Sequence, residues 1–301
     1  MTAKFRICCW IVLALCCGAC APVSQAEYWQ NYLTDVRAEG LMRVDRAPSD
    51  IPLSPALLQD SFSRLAFQFE NDPFHDGSDH GGAQMIRKWR TPVAYAVASN
   101  ARDRLKIEAP VRDFVERLRT VTGHDFIETR LDDDETETTN LIVLFLRDSD
   151  FKSLVSYQSL LDAGYIRRTE DSDWYAFLNR AVEPWYDAPS PCAGHVLTTD
   201  GSDGSVPGEV IFAVVMIRAE LPGALIESCI EEEMAQTLGL FNDDPKVRPT
   251  IFNDDEEFGL LTEHDRLLLS ILYDQRLKPG MSRETAMPLV RQISSELLPE
   301  G

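Results

Sequence analysis

The residues whose types and spacing could do chemistry lie at 230–244, Ile-Glu-Glu-Glu-Met-Ala-Gln-Thr-Leu-Gly-Leu-Phe-Asn-Asp-Asp. Ile230, Met234 and Leu238 recur every four residues, so 224–238 reads as a helix with one apolar stripe. Gly239 follows where a left-handed residue would end it. Glu232 and Gln236 are also four apart and project from one face, with Glu233 beside them. A carboxylate on such a helix face can act as a general base. Glu232, Gln236 and Asn242, with Asp243 or Asp244, offer oxygen donors only. Such a set suits calcium, magnesium or manganese better than zinc, which favours imidazole and thiolate. Without imidazoles, a metal-bound hydroxide is harder to form at neutral pH. His195 and His264 could be recruited from outside the helix, although a histidine at a helix start, as His264 is, more often meets backbone or solvent. A metal-free alternative pairs Glu232 or Glu233 with a distant carboxylate, as glycosidases do. With no ligand at all, Glu231, Glu232 and Glu233 would form a solvated helix face.

Apolar periodicity sets out the elements that would hold this helix. Residues 28–37 read as a short helix, 48–55 as a Pro-rich extended stretch, and 57–70 as a helix with Leu58, Phe62, Leu65, Ala66 and Phe69 on one face. Residues 92–97 and 126–131 read as strands around an amphipathic helix at 110–121, which turns Val111, Phe114, Val115 and Leu118 inward. Buried strands are expected at 140–146 and 210–217, separated by a polar, aromatic insert at 150–190 and a Gly-Ser-Asp loop at 200–208. Thr262 is a good N-cap with Asp265 at the third helical position, which predicts a capping box and a helix through Tyr273. Ser282 should begin a last helix at 282–297. The loop at 71–82 holds His75, Asp76, Asp79 and His80, which could bind a metal but more commonly make a solvated turn.

Composition narrows the class. The chain has 301 residues and an apolar fraction of 44%, ample for a packed core. A net charge of −20 repels nucleic acid and anionic headgroups, so neither is an expected partner. Residues 1–6 are basic, 7–17 are apolar but too short to span a bilayer, and Cys17-Gly18-Ala19 precede Cys20. The pattern is that of a lipoprotein signal, with Cys17 where leucine is usual. Cleavage before Cys20 would leave a lipidated cysteine as the membrane attachment, and Ala21 fits an outer-membrane destination facing the periplasm. A competing site, Ser24-Gln25-Ala26, would release a soluble periplasmic or secreted protein. Of seven cysteines, Cys192 and Cys229 alone lie beyond residue 20. In an oxidising compartment they read as one disulfide, the alternative being two buried thiols. The expected organisation is a signal at 1–19, a tether and short helix at 20–39, a domain at 40–285 with its insert at 150–208, and a C-terminal helix and tail at 286–301. No Ser-His-Asp elbow, P-loop or Gly-rich nucleotide fingerprint occurs.

Three stretches carry a family resemblance. Glu232-Glu233-Met-Ala-Gln236 has the spacing of the zincin motif His-Glu-x-x-His, with Glu233 on the glutamate and Glu232 and Gln236 on the two zinc ligands. In the longer metzincin motif Gly239 falls on the glycine and Asn242 on the third ligand. Residues 247–252 lie where metzincins make their Met-turn, with Phe252 in place of methionine. Leu261-Thr-x-x-Asp265, leading to Leu272-Tyr273, is similar to the closing helix of matrixin-type domains. The order of strand, helix, strand, strand, insert, strand and helix resembles a metzincin N-terminal subdomain. Residues from about 40 to 285 also resemble a bacterial group of secreted and lipid-anchored proteins of unknown function, DUF2927, on the stretches 229–243, 249–255 and 261–274. These resemblances imply an α+β, zincin-like fold: a mixed twisted sheet with an N-terminal helix, a central degenerate metal-site helix and C-terminal helices. With the zinc histidines replaced, the expected role is non-catalytic, either binding another envelope protein or a peptide or serving envelope structure, with no cofactor. The alternative is a divalent-metal hydrolase of peptide or peptidoglycan bonds with Glu233 as base.

Overall fold

The run Leu-Ile-Val-Leu-Phe-Leu at 141–146 is apolar at every position, the pattern of a strand covered on both faces. It forms β4 (Leu141–Leu146), buried throughout, in a computed structural model that describes residues 23–68, 84–99, 104–129, 139–147, 190–253 and 256–299. β4 lies between β2 (Val93–Ser99) and β6 (Glu209–Arg218), parallel to both. β3 (Phe126–Glu128) pairs parallel with the outer side of β2, and β1 (Lys88–Trp89) pairs parallel with the start of β6. β5 (Cys192–Thr198) runs antiparallel along β6. The described helices are α1 (Gln25–Ala38), α2 (Pro55–Leu65), α3 (Arg104–Thr122), α4 (Gly223–Gln236), α5 (Glu263–Tyr273) and α6 (Arg283–Leu297). The fold is thus α+β with a mostly parallel sheet. Cys20, the loop at 71–82, Phe69 and the insert at 150–189 lie outside the described residues. No described helix is long and apolar enough to cross a membrane.

Side-chain alternation divides the sheet. Leu141, Val143 and Phe145 share one face with their register partners Ala213, Val215 and Ile217, and join a core with Val111, Phe114 and Val115 of α3 and Ile230 and Met234 of α4. The helix expected at 110–121 begins earlier, at Arg104, and takes Pro110 inside it. Ile107 extends the stripe of Val111 and Phe114 into the core, so packing carries the helix through a residue that usually starts one. β3 and α2 stop short of their expected ends at 131 and 70. β1 and β5 were not expected as strands. β1 is two residues long, and β5 reads Cys-Ala-Gly-His-Val-Leu-Thr, with a glycine and no clean alternation. The capping box of Thr262 and Asp265 and the Ser282 cap form as expected.

The expected disulfide is present: Cys192 of β5 is bonded to Cys229 of α4, with Cα atoms 5.8 Å apart. Closing a loop with a sequence separation of 37 stabilises by about 4 kcal/mol in the chain-entropy model. The far end of α4 is held by side chains of β1 and α5. Trp89 Nε1 donates to the Thr237 carbonyl at 2.9 Å and the Tyr273 hydroxyl to that of Leu238 at 3.0 Å. Gly239 follows at φ +129°, where a Cβ would meet the Arg87 carbonyl at 2.2 Å, so the glycine is required by close approach as well as by its dihedral.

Lys88 completes this junction by donating to the Leu272 carbonyl at 2.8 Å, near the end of α5. Burial, with a smaller contribution from Lys278, pushes its ammonium down from the ordinary 10.5 to about 8. Below pH 8 the lysine is protonated both folded and unfolded, and the folded state carries the whole desolvation cost. Between about pH 8 and 10.5 the folded state releases its proton first, so stability should rise with pH. The predicted gain is about 3 kcal/mol across that window. Unfolding curves of the wild type and Lys88→Met should diverge over it, with the rise missing in the variant; parallel curves would refute the assignment.

Candidate functional site

Helix α4 packs against β5, β6 and α3, and each acid of its central run meets a different neighbour. Successive residues of an α-helix turn by about 100°, so Glu231, Glu232 and Glu233 cannot share one environment. Glu231 is wholly buried. Arg46 holds both its oxygens at 2.7 Å, Arg117 of α3 donates to Oε1 at 2.5 Å, and the Leu261 backbone N–H donates to Oε2 at 2.8 Å. A solvated face is therefore the wrong description of this residue. Glu233 is 7% exposed and lies against β5 at Gly194, where a Cβ would come within 2.7 Å of its Oε2. The missing side chain at 194 is what lets the strand approach the carboxylate. Glu232 is partly exposed and near enough to Tyr32 of α1 for its charge to oppose ionisation of the phenol.

The positions four and ten residues beyond Glu232 are tied to separate parts of the protein. Gln236 Nε2 donates to Asp243 Oδ1 at 2.8 Å. Asn242 is buried and serves α2: its Nδ2 donates to the Arg64 carbonyl at 3.2 Å and to Gln68 Oε1 at 3.4 Å, and its backbone N–H to the Leu65 carbonyl at 3.3 Å. These bonds satisfy carbonyls that the end of a helix leaves open. Asp244 pairs with Arg64 at 3.1 Å. His264 is wholly buried, with Nε2 3.0 Å from Ser61 Oγ on α2, so it meets a side chain where backbone or solvent was expected. His195 follows Gly194 on β5, and the pleat turns it away from the face presented to α4. Among the described residues no three His, Cys, Asp or Glu side chains are placed to hold a metal ion. Two neutral amides already bonded to Asp243 and α2 do not fit a zinc site, which takes imidazole or thiolate.

The turn that leads to Phe252 is fixed by one buried acid of α5. Asp265 Oδ1 accepts from the Thr250 hydroxyl at 2.5 Å, and Oδ2 from the backbone N–H groups of Ile251 at 3.1 Å and Thr262 at 2.9 Å. The Thr262 hydroxyl donates to the Pro249 carbonyl at 2.9 Å, across a cis Arg248–Pro249 peptide. Phe252 is fully buried as a result. A residue that looked like a helix cap thus also pins a distant turn.

The sequence reading missed Glu231 as a hub, Asp243 as the partner of Gln236, and Gly194 as the seat of Glu233. Arg46 and Arg117 give no local signal of the acid they will meet. Removing Glu231 leaves the buried Leu261 N–H without its acceptor, while Arg46 and Arg117, 38% and 40% exposed, regain water, so the loss is about 1–3 kcal/mol. Glu231→Ala should lose that much in urea-induced unfolding. A loss under about 1 kcal/mol is what a surface carboxylate would give, and would contradict the burial.

A search of curated proteins finds no match to this chain. The family described as "Protein of unknown function (DUF2927)" matches residues 55–292, a span that takes in α2 through most of α6 and the whole of α4, while Arg46 and Tyr32 precede it. The chain therefore belongs to the DUF2927 family.

Proposed function

We propose that this chain is an exported, lipid-anchored envelope protein whose zincin-like domain binds a protein or peptide, or serves envelope structure, without catalysing a reaction. The observation that carries the reading is the fate of the ligand positions. Gln236 donates its amide nitrogen to Asp243 and Asn242 donates its own to the end of α2, so these positions carry amides oriented by the protein's own hydrogen bonds in place of imidazole. The zincin likeness is supported by the order of elements along the chain and by the buried turn at Phe252 that follows α4. The lipid anchor is supported by the residues around Cys20, and the disulfide suits an oxidising compartment. Location in the outer membrane, facing the periplasm, belongs to the same proposal.

A second reading keeps a hydrolase with Glu233 as general base. It is favoured by the seat of Glu233, a carboxylate held against the backbone of β5. The two readings separate in one experiment, complementation of a strain lacking the protein. Under the binding reading, Cys20→Ala should leave the membrane fraction and fail to complement, whereas Glu233→Gln should complement like the wild type. Loss of complementation by a folded, correctly localised Glu233→Gln protein would instead favour the hydrolase, for which loss of a general base costs roughly 100-fold or more in rate. Wild-type protein that stays soluble with Glu27 at its N-terminus would remove the anchor.

A further inference from the structure

Helix α1 is set apart from the body. It precedes the family match, which begins at residue 55. It ends in a Schellman turn, with the Gly40 N–H donating to the Arg37 carbonyl and the Leu41 N–H to that of Val36, both at 3.1 Å. Gly40 has φ +86°, and among the described residues no atom other than those of its chain neighbours lies within 4 Å of a Cβ built on it. Immediately after this uncrowded joint the chain is clamped. The N–H groups of Met42 and Arg43 donate to the carbonyls of Glu256 and Glu257 at 2.8 Å, and Arg43 pairs with Asp45, Asp50 and Glu257. The helix is therefore a lever on a fixed base.

That lever lies over two acids. Trp29 and Leu33 bury its inner side, Tyr32 donates its hydroxyl to Glu256 Oε1, and Glu232 of α4 lies nearby. Burial, then Glu256, keep the Tyr32 phenol protonated well above its ordinary range, so it remains a donor. Packing here is incompletely satisfied. Among the described residues neither Trp29 Nε1 nor Glu256 Oε2, both buried, has a hydrogen-bond partner, and Glu256 holds φ +52°, uncommon outside glycine. Unpaired buried groups cost stability that water restores once they are exposed, so the closed contact is weaker than its buried area suggests.

We propose that α1 is a hinged lid that closes over Glu232 and Glu256 through the Tyr32–Glu256 latch and opens about Gly40. The lid rests on the proposal that the domain binds a protein or peptide, and it places that binding on the Glu232 side of α4. Two measurements on the full exported chain, disulfide intact, test it: amide hydrogen exchange, and carbodiimide coupling of a small amine to Glu232 and Glu256. Amides at 28–36 should exchange at least about 100-fold faster than those at 212–217, because a 14-residue helix lifted off the body is marginal in water and melts, and such a local opening needs less free energy than global unfolding. Tyr32→Phe should speed the first group by about tenfold, the equilibrium worth of one hydrogen bond to a charged group, and raise labelling of both acids while leaving 212–217 unchanged. Gly40→Ala, which touches neither acid and penalises only the closed dihedral, should do the same. Slow exchange of α1 in step with β6, variants without effect on α1, or variants that accelerate β6 equally would each overturn the lid. Neither readout needs ligand or turnover, so a failed binding role for α4 would leave this result standing.

Discussion

A carboxylate with no exposed surface is the constraint on which the rest depends. Burying Glu231 uncompensated would cost several kcal/mol, and the protein answers with two guanidinium groups and a backbone N–H. Those donors come from three places: the N-terminal segment at Arg46, α3 at Arg117 and the approach to α5 at Leu261. One side chain thus ties together parts of the chain far apart in sequence. It also sets the rotation of α4. With Glu231 turned to the arginines, the helical twist sends Glu233 toward β5 and Glu232 toward α1.

Other bonds hold α4 at its ends and along its length. The Cys192–Cys229 disulfide fastens it to β5, and Trp89, Tyr273 and Gly239 close its far end. Asp265 performs a comparable service, holding the turn at 249–252 against α5. A helix held on all these sides has little freedom to rearrange around a ligand. What variation the site allows therefore falls to the side chains of Glu232, Gln236 and Asp243 and to the segment above them.

Much of the scaffold was legible in the sequence because it rests on local rules. Unbroken apolar runs mark β4 and β6, four-residue spacing marks α2 and α4, and cap chemistry marks α5 and α6. The disulfide was legible because only Cys192 and Cys229 of the seven cysteines lie beyond residue 20. The limits are equally physical. β5 was missed because Gly194 breaks its pattern, yet that glycine is what admits Glu233. Glu231 looked like its neighbours because burial is decided by Arg46 and Arg117, which no local window contains. Asn242 sits at a motif position by spacing, but its amide goes to α2, a choice that depends on where that helix ends.

The most direct test of these polar positions is calorimetric titration of the chelator-treated protein, disulfide intact, with zinc, calcium, magnesium and manganese in turn. A domain whose Gln236 and Asn242 are bound to its own Asp243 and α2 should take up none of these ions stoichiometrically with a Kd below about 1 mM, the weak limit of oxygen-only sites. One ion bound per chain at micromolar or tighter affinity, and lost in Gln236→Ala, would contradict that arrangement.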